Sequence, residues 1–276
     1  MKHFLKVKDH SVSQEIFNLV YDQKLDMLVT QPQPSLDNLG KYYESVTYIS
    51  HTDGNKTLFE KAYQMVKNIA LKNKLSLINN LSKNKGKILD IGAGVGDFLA
   101  TAHQNGWQTV GVEPNDKARA IAEKKGVTFV EKTEDLPDNS FDIITMWHVL
   151  EHVPALENQI MELKRLVKPN GTIIIAVPNF KSFDAVYYQE YWAAYDVPIH
   201  LWHFSKTAIK LLFEKHNIRL VKVLPMVFDA FYVALLSEKY KTGKMNFIKA
   251  TYIGLKSNWK ARKTGEYSSH IYILKQ

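Results

Sequence analysis

Ile88-Leu-Asp-Ile-Gly-Ala-Gly-Val-Gly-Asp97 is the most informative stretch of this chain for its architecture. A short apolar strand pattern runs into three glycines at alternate positions, and a helical pattern follows. Glycine there permits a tight turn and a close approach of a ligand to the backbone. The dinucleotide fingerprint G-x-G-x-x-G would need its third glycine at position 97, where this chain has Asp97. The pattern from Asp90 to Gly96 is D-x-G-x-G-x-G instead.

A carboxylate follows the next predicted strand. Val112-Glu-Pro114 ends that strand, and a glutamate at a strand end can accept hydrogen bonds from both hydroxyls of a ribose. The structural alternative is a tight strand–helix turn with an exposed Glu113. The agreement of strand, glycine turn and carboxylate favours a nucleoside-bearing ligand at this edge of a sheet.

Short apolar strands then alternate with helical patterns along the chain. Strands are expected at 87–91, 109–112, 127–130, 141–146, 172–177, 218–223 and 270–274, and helices at 58–81, 98–105, 116–125, 154–167 and 205–216. This alternation predicts an α/β fold of the Rossmann-like, doubly wound type, with a mostly parallel seven-stranded sheet and helices on both faces.

The expected organisation has five parts. The first is an N-terminal extension over 1–55, which has no clear period and helps to cover the active site, and a helical lead-in over 56–84 follows it. The cofactor-binding core is expected over 85–178 and an aromatic-rich substrate lid over 179–204. The last part, over 205–276, completes the core and carries a basic helical insertion.

These motifs resemble the class I S-adenosylmethionine-dependent methyltransferases, and among them the group related to ubiquinone-biosynthesis O-methyltransferases. The similar stretches are 88–96, 112–114, 134–137, 140–153 and 176–179, within roughly residues 85–224. The resemblance implies that S-adenosylmethionine is the cofactor and S-adenosylhomocysteine the product. It also implies methyl transfer to a small or medium-sized acceptor, with oxygen or carbon favoured over nitrogen.

The resemblance also implies roles for individual residues. By this resemblance, Asp90 lies near the methionine part of the cofactor or orders the loop, and Gly92, Gly94 and Gly96 pass beneath the cofactor. Glu113, followed by Pro114, holds the ribose. Asp135 and Leu136 border the adenine, and Trp147 and His148 lie at the sulfonium end.

The segment 179–204 holds nine aromatic residues, and it follows a strand end that should face the cofactor. It is interpreted as a substrate lid or as a small satellite core. The expected acceptor contacts are Tyr191, Trp192, Tyr195 and His200, together with Tyr48 and His51 of an N-terminal element that resembles part of bacterial methyltransferases of this type. The candidate catalytic histidines are His148, His200 and His203, each with the alternative of a structural role.

Glu151 and His152 raise the question of a metal ion. Some quinone-precursor methyltransferases of the resembled group hold a divalent ion with acidic and histidine residues from this region. No third ligand is evident beside these two residues, so no metal site is expected. The chain has no cysteine, which excludes disulfides, thiolate metal sites and a cysteine-bearing zinc head.

Charge is distributed unevenly over the 276 residues. The net charge is +8, and the stretch from Lys239 to Lys263 has eight basic residues and no acidic one. A solvated helix face is the main interpretation, with an anionic partner as the alternative.

Several partners and locations are expected or excluded. No apolar run is long enough to span a bilayer and no secretory signal opens the chain, so a cytoplasmic location is expected. The expected partner is a small-molecule acceptor that can carry an anionic group. The chain is expected to be a monomer or a homodimer. Nucleic acid is disfavoured, since the Asn/Asp-Pro-Pro-Tyr/Phe stretch of base-modifying enzymes is missing. The rival functions are a nucleotide-dependent oxidoreductase, a nucleic-acid-directed methyltransferase and a non-catalytic S-adenosylmethionine-binding protein.

Overall fold

The computed structural model describes residues 1–43, 58–82 and 84–276, with the backbone alone over 58–63. The predicted substrate residues Tyr48 and His51 lie outside the described residues. The strands are β1 (Lys2–Lys8), β2 (Ile16–Asp22), β3 (Met27–Gln31), β4 (Lys87–Ile91), β5 (Gln108–Val112), β6 (Phe141–Trp147), β7 (Val167–Pro178), β8 (Trp202–His203), β9 (Arg219–Pro225) and β10 (Ser269–Lys275). The helices are α1 (Leu36–Leu39), α2 (Leu58–Leu81), α3 (Asp97–Gln104), α4 (Asp116–Glu123), α5 (Leu156–Leu166), α6 (Phe183–Tyr188), α7 (Lys206–Glu214), α8 (Asp229–Thr242) and α9 (Phe247–Thr264).

The larger sheet has the order β5-β4-β6-β7-β10-β9. Its first four strands are parallel, and β10 runs antiparallel to both of its neighbours. This confirms the doubly wound α/β fold, but the sheet has six strands and not the predicted seven. The missing strand is the one expected at 127–130. That segment forms only an isolated bridge, because it exchanges two backbone hydrogen bonds with Gly111 and then leaves the sheet edge.

Both faces of the larger sheet are covered, which explains why its central strands are almost continuously apolar. On one face Leu89, Ile144 and Ile173 pack in a core with α5 and α7. On the other face Ile88 and Ile143 pack with side chains of α2 and α3. The carboxyl ends of β4, β5 and β6 therefore meet at one edge of the sheet, where the loops that follow them can form a site.

The N-terminal extension contains a second sheet that was not expected from the sequence. Strands β1, β2 and β3 form an antiparallel meander, and β8 from the predicted lid adds a fourth strand beside β3. Met27 to Thr30 are all buried, so this strand lacks the alternating pattern by which half-exposed strands are predicted. Thr30 connects the sheet to the lid, since its N–H donates to the Leu201 carbonyl at 3.0 Å and its hydroxyl to the His200 carbonyl at 2.6 Å.

The lid, the α8–α9 hairpin and the N-terminal sheet share a second core. Tyr188, Trp192 and Ile253 are buried in it. At its centre the buried Asp184 carboxylate accepts hydrogen bonds from the Trp192 indole at 2.8 Å, from Ser257 of α9 at 2.6 Å and from Ser268 at 2.7 Å. One carboxylate thus joins α6, the lid loop, α9 and the start of β10.

Among the described residues, no helix has the length and apolarity needed to cross a membrane.

Candidate functional site

The glycine loop after β4 has the geometry of a ligand cradle. Gly92, Gly94 and Gly96 have φ angles of 72°, 53° and 73°, a region that favours glycine. A Cβ on Gly92 would lie 2.4 Å from Val149, and one on Gly96 would lie 2.5 Å from Ala122. A Cβ on Gly94 would meet no atom of the described residues within 4 Å. The outer glycines are therefore needed for packing, whereas Gly94 borders open space.

Glu113 lies directly beside this open space. Its carboxylate accepts hydrogen bonds from the Gly94 N–H at 2.8 Å and from the Asn115 N–H at 2.9 Å. A carboxylate has about four acceptor sites, so two remain for hydrogen bonds from a ligand. Pro114 is exposed, and Asn115 caps α4.

Asp90 is buried beneath the loop, with 3% of its surface exposed. Burial raises the pKa of its carboxyl to about 7, although the Thr145 hydroxyl donates to it at 2.5 Å. The ammonium group of Lys74, from α2, lies 4.2 Å from the centre of the Trp147 ring. Burial lowers the pKa of Lys74, and the Asp90 and Asp229 carboxylates oppose that shift. Lys74 is not among the residues predicted from the sequence, because its surroundings come from separate elements.

Trp147 and His148 end β6 at the same edge of the sheet. The Trp147 ring packs edge-on against Phe98 at 5.7 Å, and its buried indole nitrogen has no hydrogen-bond partner in the described part of the chain. His148 has a φ of 58°, which turns its ring between two carboxylates: Nε2 lies 3.1 Å from Asp229 and Nδ1 lies 3.4 Å from Glu151.

The two carboxylates determine the charge of His148. Burial would lower the pKa of its imidazole, but Asp229 and Glu151 raise it to about 10. His148 is therefore an imidazolium at neutral pH and holds its proton. This arrangement does not suit a general base, one of the roles expected of a catalytic histidine here.

Glu151, His152 and His200 form a cluster whose candidate ligand atoms all lie within 4.8 Å of one another. The Nδ1 of His152 lies 3.1 Å from the Ile199 carbonyl, and that of His200 lies 2.9 Å from the Ala194 carbonyl. A carbonyl only accepts, so each Nδ1 carries a hydrogen and each Nε2 keeps its lone pair.

The same cluster has the donor set of a metal site. Burial lowers the pKa of His152 to about 4 and also lowers that of His200, so both imidazoles are neutral. Both carboxylate oxygens of Glu151 are buried; Oε1 faces the Nδ1 of His148 at 3.4 Å, and Oε2 has no hydrogen-bond partner among the described residues. Two imidazoles held by backbone carbonyls and a carboxylate with one unpaired oxygen fit a divalent cation. No metal site was expected from the sequence because Glu151 and His152 had no evident third ligand, and in the structure His200 lies beside them.

The remaining predicted residues divide between the surface and the interior. Asp135 is exposed at the end of a short helical turn, and the side chain of Leu136 packs in the main core. Tyr191 is half-buried, with its ring 6.0 Å from that of His10.

Three predicted site residues are core residues in the structure. Trp192 and Tyr195 are 1% and 2% exposed and pack in the core shared by the lid and the hairpin. His203 is buried on β8, and its Nε2 lies 3.0 Å from the Thr30 hydroxyl. For the segment 179–204, the satellite-core interpretation thus describes Trp192 and Tyr195. The structure brings His200, but not His203, to Glu151.

Comparisons with known proteins agree with this geometry. The model of a family described as "Methyltransferase domain" matches residues 62–223, more than half of the chain. An uncharacterized protein of Methanocaldococcus jannaschii is 36% identical over 109 residues, which are 38% of this chain and 51% of that protein. A ubiquinone biosynthesis O-methyltransferase of Actinobacillus pleuropneumoniae is 33% identical over 107 residues, which are 34% of this chain and 46% of that protein. The matches thus span about half the length of these relatives.

Solved structures show the same fold. A methyltransferase dependent on S-adenosylmethionine from Thermotoga maritima has a TM-score of 0.54 and 22% identity, over 78% of this chain and 94% of that one. The phosphoethanolamine N-methyltransferase 2 of Haemonchus contortus, solved with phosphomonomethylethanolamine and S-adenosylhomocysteine, has a TM-score of 0.55 and 14% identity, over 98% of this chain and 70% of that one.

Proposed function

The chain belongs to the methyltransferase-domain family, and on that basis we propose that it transfers the methyl group of S-adenosylmethionine to an oxygen of a small or medium-sized acceptor. S-adenosylmethionine is the cofactor, and the chain is a methyltransferase that depends on it. The observation that carries the proposal is the open space at Gly94 beside the Glu113 carboxylate. The choice of oxygen follows the ubiquinone O-methyltransferases among the relatives.

The residues around the cradle can hold each part of the cofactor. The two free acceptor sites of Glu113 suit the ribose hydroxyls. The ammonium of Lys74 suits the carboxylate of the methionine part, and Asp90 suits its amino group. The ring of Trp147, already in contact with a cation, suits the sulfonium.

When bound, the cofactor supplies a methyl group that is already activated for in-line displacement. The chain then orients the acceptor and excludes water. In favourable cases this can lower the activation barrier by ~7–11 kcal/mol. The carboxyl edge of the sheet and the lid lie on either side of Glu151, whose backbone carbonyl accepts from the Leu201 N–H at 2.8 Å. That bond holds the lid beside the loop that follows β6.

A hydroxyl acceptor must also lose its proton, whereas a carboxylate is already ionised. The Nε2 lone pair of His152 or His200 can accept it, a contribution of roughly 10²–10⁴-fold. A divalent ion bound by Glu151, His152 and His200 would instead lower the pKa of the acceptor hydroxyl. His148 retains its proton next to Asp229 and Glu151, and it contributes positive charge and orientation.

Calorimetry with S-adenosylhomocysteine and with NAD tests the cofactor site. Binding of the first and not of the second is expected, and tight NAD binding alone would favour the oxidoreductase alternative. Turnover of S-adenosylmethionine is then measured against a panel of phenol, carboxylate and sugar acceptors, with amines for comparison. Methylation of amines alone would contradict the oxygen assignment.

A chelator separates the two routes of proton removal. If an imidazole accepts the proton, turnover survives treatment with EDTA. If an ion is required, EDTA abolishes turnover, added divalent metal restores it, and Glu151→Gln behaves like the chelated enzyme.

A further inference from the structure

Helix α9 buries small side chains and exposes large apolar ones, the reverse of the usual arrangement. Its buried residues are mostly small: Ala250, Ile253, Gly254, Ser257 and Ala261. Large apolar side chains point outward instead, with exposed fractions of 87% for Ile248, 59% for Tyr252, 58% for Leu255 and 57% for Trp259. A helix that only packed on its own domain would place its large apolar side chains inward.

These four exposed residues form a continuous stripe. They occur at intervals of four, three and four residues, and a helix advances about 100° per residue, so they lie within an arc of about 60°. The stripe spans eleven residue steps, or about 16 Å at 1.5 Å per residue. Met245, 41% exposed, extends it at the hairpin turn. Apolar stripes of this kind on a surface indicate an interaction site.

Basic side chains border the stripe. By the same helical geometry Lys256 and Lys263 lie along one side of it and Arg262 along the other. Lys263 lies 5.2 Å from the Trp259 ring centre and Lys256 lies 5.6 Å from that of Tyr252. No acidic residue occurs from Lys239 to Lys263. Glu238, which precedes this stretch, is buried and pairs with Tyr188 and Lys249.

We propose that the α8–α9 hairpin binds the surface of an anionic lipid bilayer, with the Ile248–Trp259 stripe in the interfacial region and the bordering basic residues on the lipid headgroups. The combination of aromatic and aliphatic residues on one face with Lys and Arg beside them is typical of helices that lie in a membrane interface. A polyanion such as RNA would engage the charges and leave the apolar stripe in water. A second copy of this chain would bring like charges together across the interface.

The stripe also lies close to the cofactor edge of the fold. Antiparallel packing brings the start of α8 beside the end of α9, where the Asn258 amide donates to the Val227 carbonyl at 2.8 Å. Asp229, two residues on, is the partner of His148. Lipid binding through this surface is separate from methyl transfer, and its test therefore uses no activity measurement.

Trp259 provides an internal probe. The other four tryptophans are buried or half-buried, so the fluorescence response to lipid belongs chiefly to Trp259. The full chain is mixed with vesicles of phosphatidylcholine alone or of phosphatidylcholine with one-third phosphatidylglycerol. Sedimentation with the anionic vesicles, a blue shift of the emission and quenching by brominated lipid are expected. Trp259→Phe should still sediment but lose the shift and the quenching.

Variants distinguish apolar from electrostatic contacts. Ile248→Glu with Leu255→Glu should lower the vesicle partition coefficient at least tenfold, whereas the control Met161→Glu, at a 49% exposed position on α5, should leave it unchanged. Lys256→Gln and Lys263→Gln should each lower it by about fivefold at low salt, and by less at high salt, where the attraction of the lysines to the headgroups is screened. Ile248, Leu255, Met161 and Lys263 are exposed and Lys256 is half-buried, so all these variants should fold, which thermal denaturation checks.

Three results would overturn the proposal. The first is no sedimentation with anionic vesicles. The second is binding that depends on the lysines while Trp259 emission stays unshifted and unquenched, as for a polyanion site. The third is a dimer, seen by analytical ultracentrifugation without lipid, that Ile248→Glu with Leu255→Glu dissociates and that vesicles do not.

Discussion

Replacing Gly94 by alanine should separate cofactor binding from folding. Gly94 has a φ of 53°, and an added Cβ meets no atom within 4 Å. The cost to folding is then only that of a left-handed alanine, about 1–2 kcal/mol. For a chain of this size such a loss lowers the Tm by roughly 2–8 °C.

The cost to cofactor binding should be larger. The new methyl group enters the space beside the Glu113 carboxylate, where the ribose must approach. Displacement of the ribose forfeits a hydrogen bond to a charged group, worth about 1.5–3 kcal/mol. The Kd for S-adenosylhomocysteine should therefore rise about 10- to 150-fold.

Calorimetric titration and thermal denaturation measure the two effects on the same samples. Gly243→Ala is the matched control, because Gly243 has a φ of 77° and open space around it but lies at the end of α8. It should lose similar stability and keep its cofactor affinity. Gly96→Ala should lose more stability, since its Cβ would lie 2.5 Å from Ala122. Unchanged affinity in Gly94→Ala would refute the cradle.

Five other substitutions address the remaining parts of the site. Glu113→Ala should weaken S-adenosylhomocysteine binding by roughly 1–3 kcal/mol while the fold survives, and an unchanged Kd in calorimetry would remove Glu113 from the ribose site. Asp90 has a folded pKa near 7, above its unfolded value, so its carboxyl favours the folded state when protonated and loses that contribution as the pH rises from about 4 to 7. Urea titrations should show wild-type stability falling relative to Asp90→Asn by up to ~1.4 kcal/mol per pH unit in this window; parallel curves would contradict it. Tyr191→Ala and His200→Ala should each lower acceptor turnover with little change in cofactor affinity, whereas Trp192→Ala should mainly lower stability, by about 3–5 kcal/mol. Normal turnover in the first two would show that the lid does not contact the acceptor.

Local sequence patterns correctly predicted individual strands and helix caps of the α/β fold. β4 has the bounds expected for it, Lys87–Ile91, and Ser205 caps α7 through the Ala208 N–H as expected. These features depend on residues adjacent in the chain: an apolar strand buried on both faces, a glycine turn and a capping hydroxyl. Glu113 belongs with them, since its position follows from the end of a strand.

Features that depend on distant segments could not be predicted in this way. Lys74 is one charged residue in a helical pattern, and its contacts with Trp147 and its proximity to Asp90 arise only in the folded chain. Trp192 and Tyr195 are aromatic residues of the kind that often line ligand sites. In the structure they are buried with Asp184 and the α8–α9 hairpin in a core. The prediction of a seventh strand was wrong. The residues at 127–130 have the apolar pattern of a strand, but they form only a single bridge with Gly111 of β5.

The pairing of β3 with β8 bears on how the chain folds as it is synthesised. Val29 and Trp202 are opposite each other in the sheet yet more than 170 positions apart in the chain. Strands β1 to β3 leave the ribosome before the lid does, and one edge of β3 then presents unpaired backbone groups until the lid emerges. Such an edge is a template for pairing with other chains. Long-range pairing of this kind also slows folding, so a nascent chain truncated before the lid would be exposed to aggregation through its N-terminal sheet.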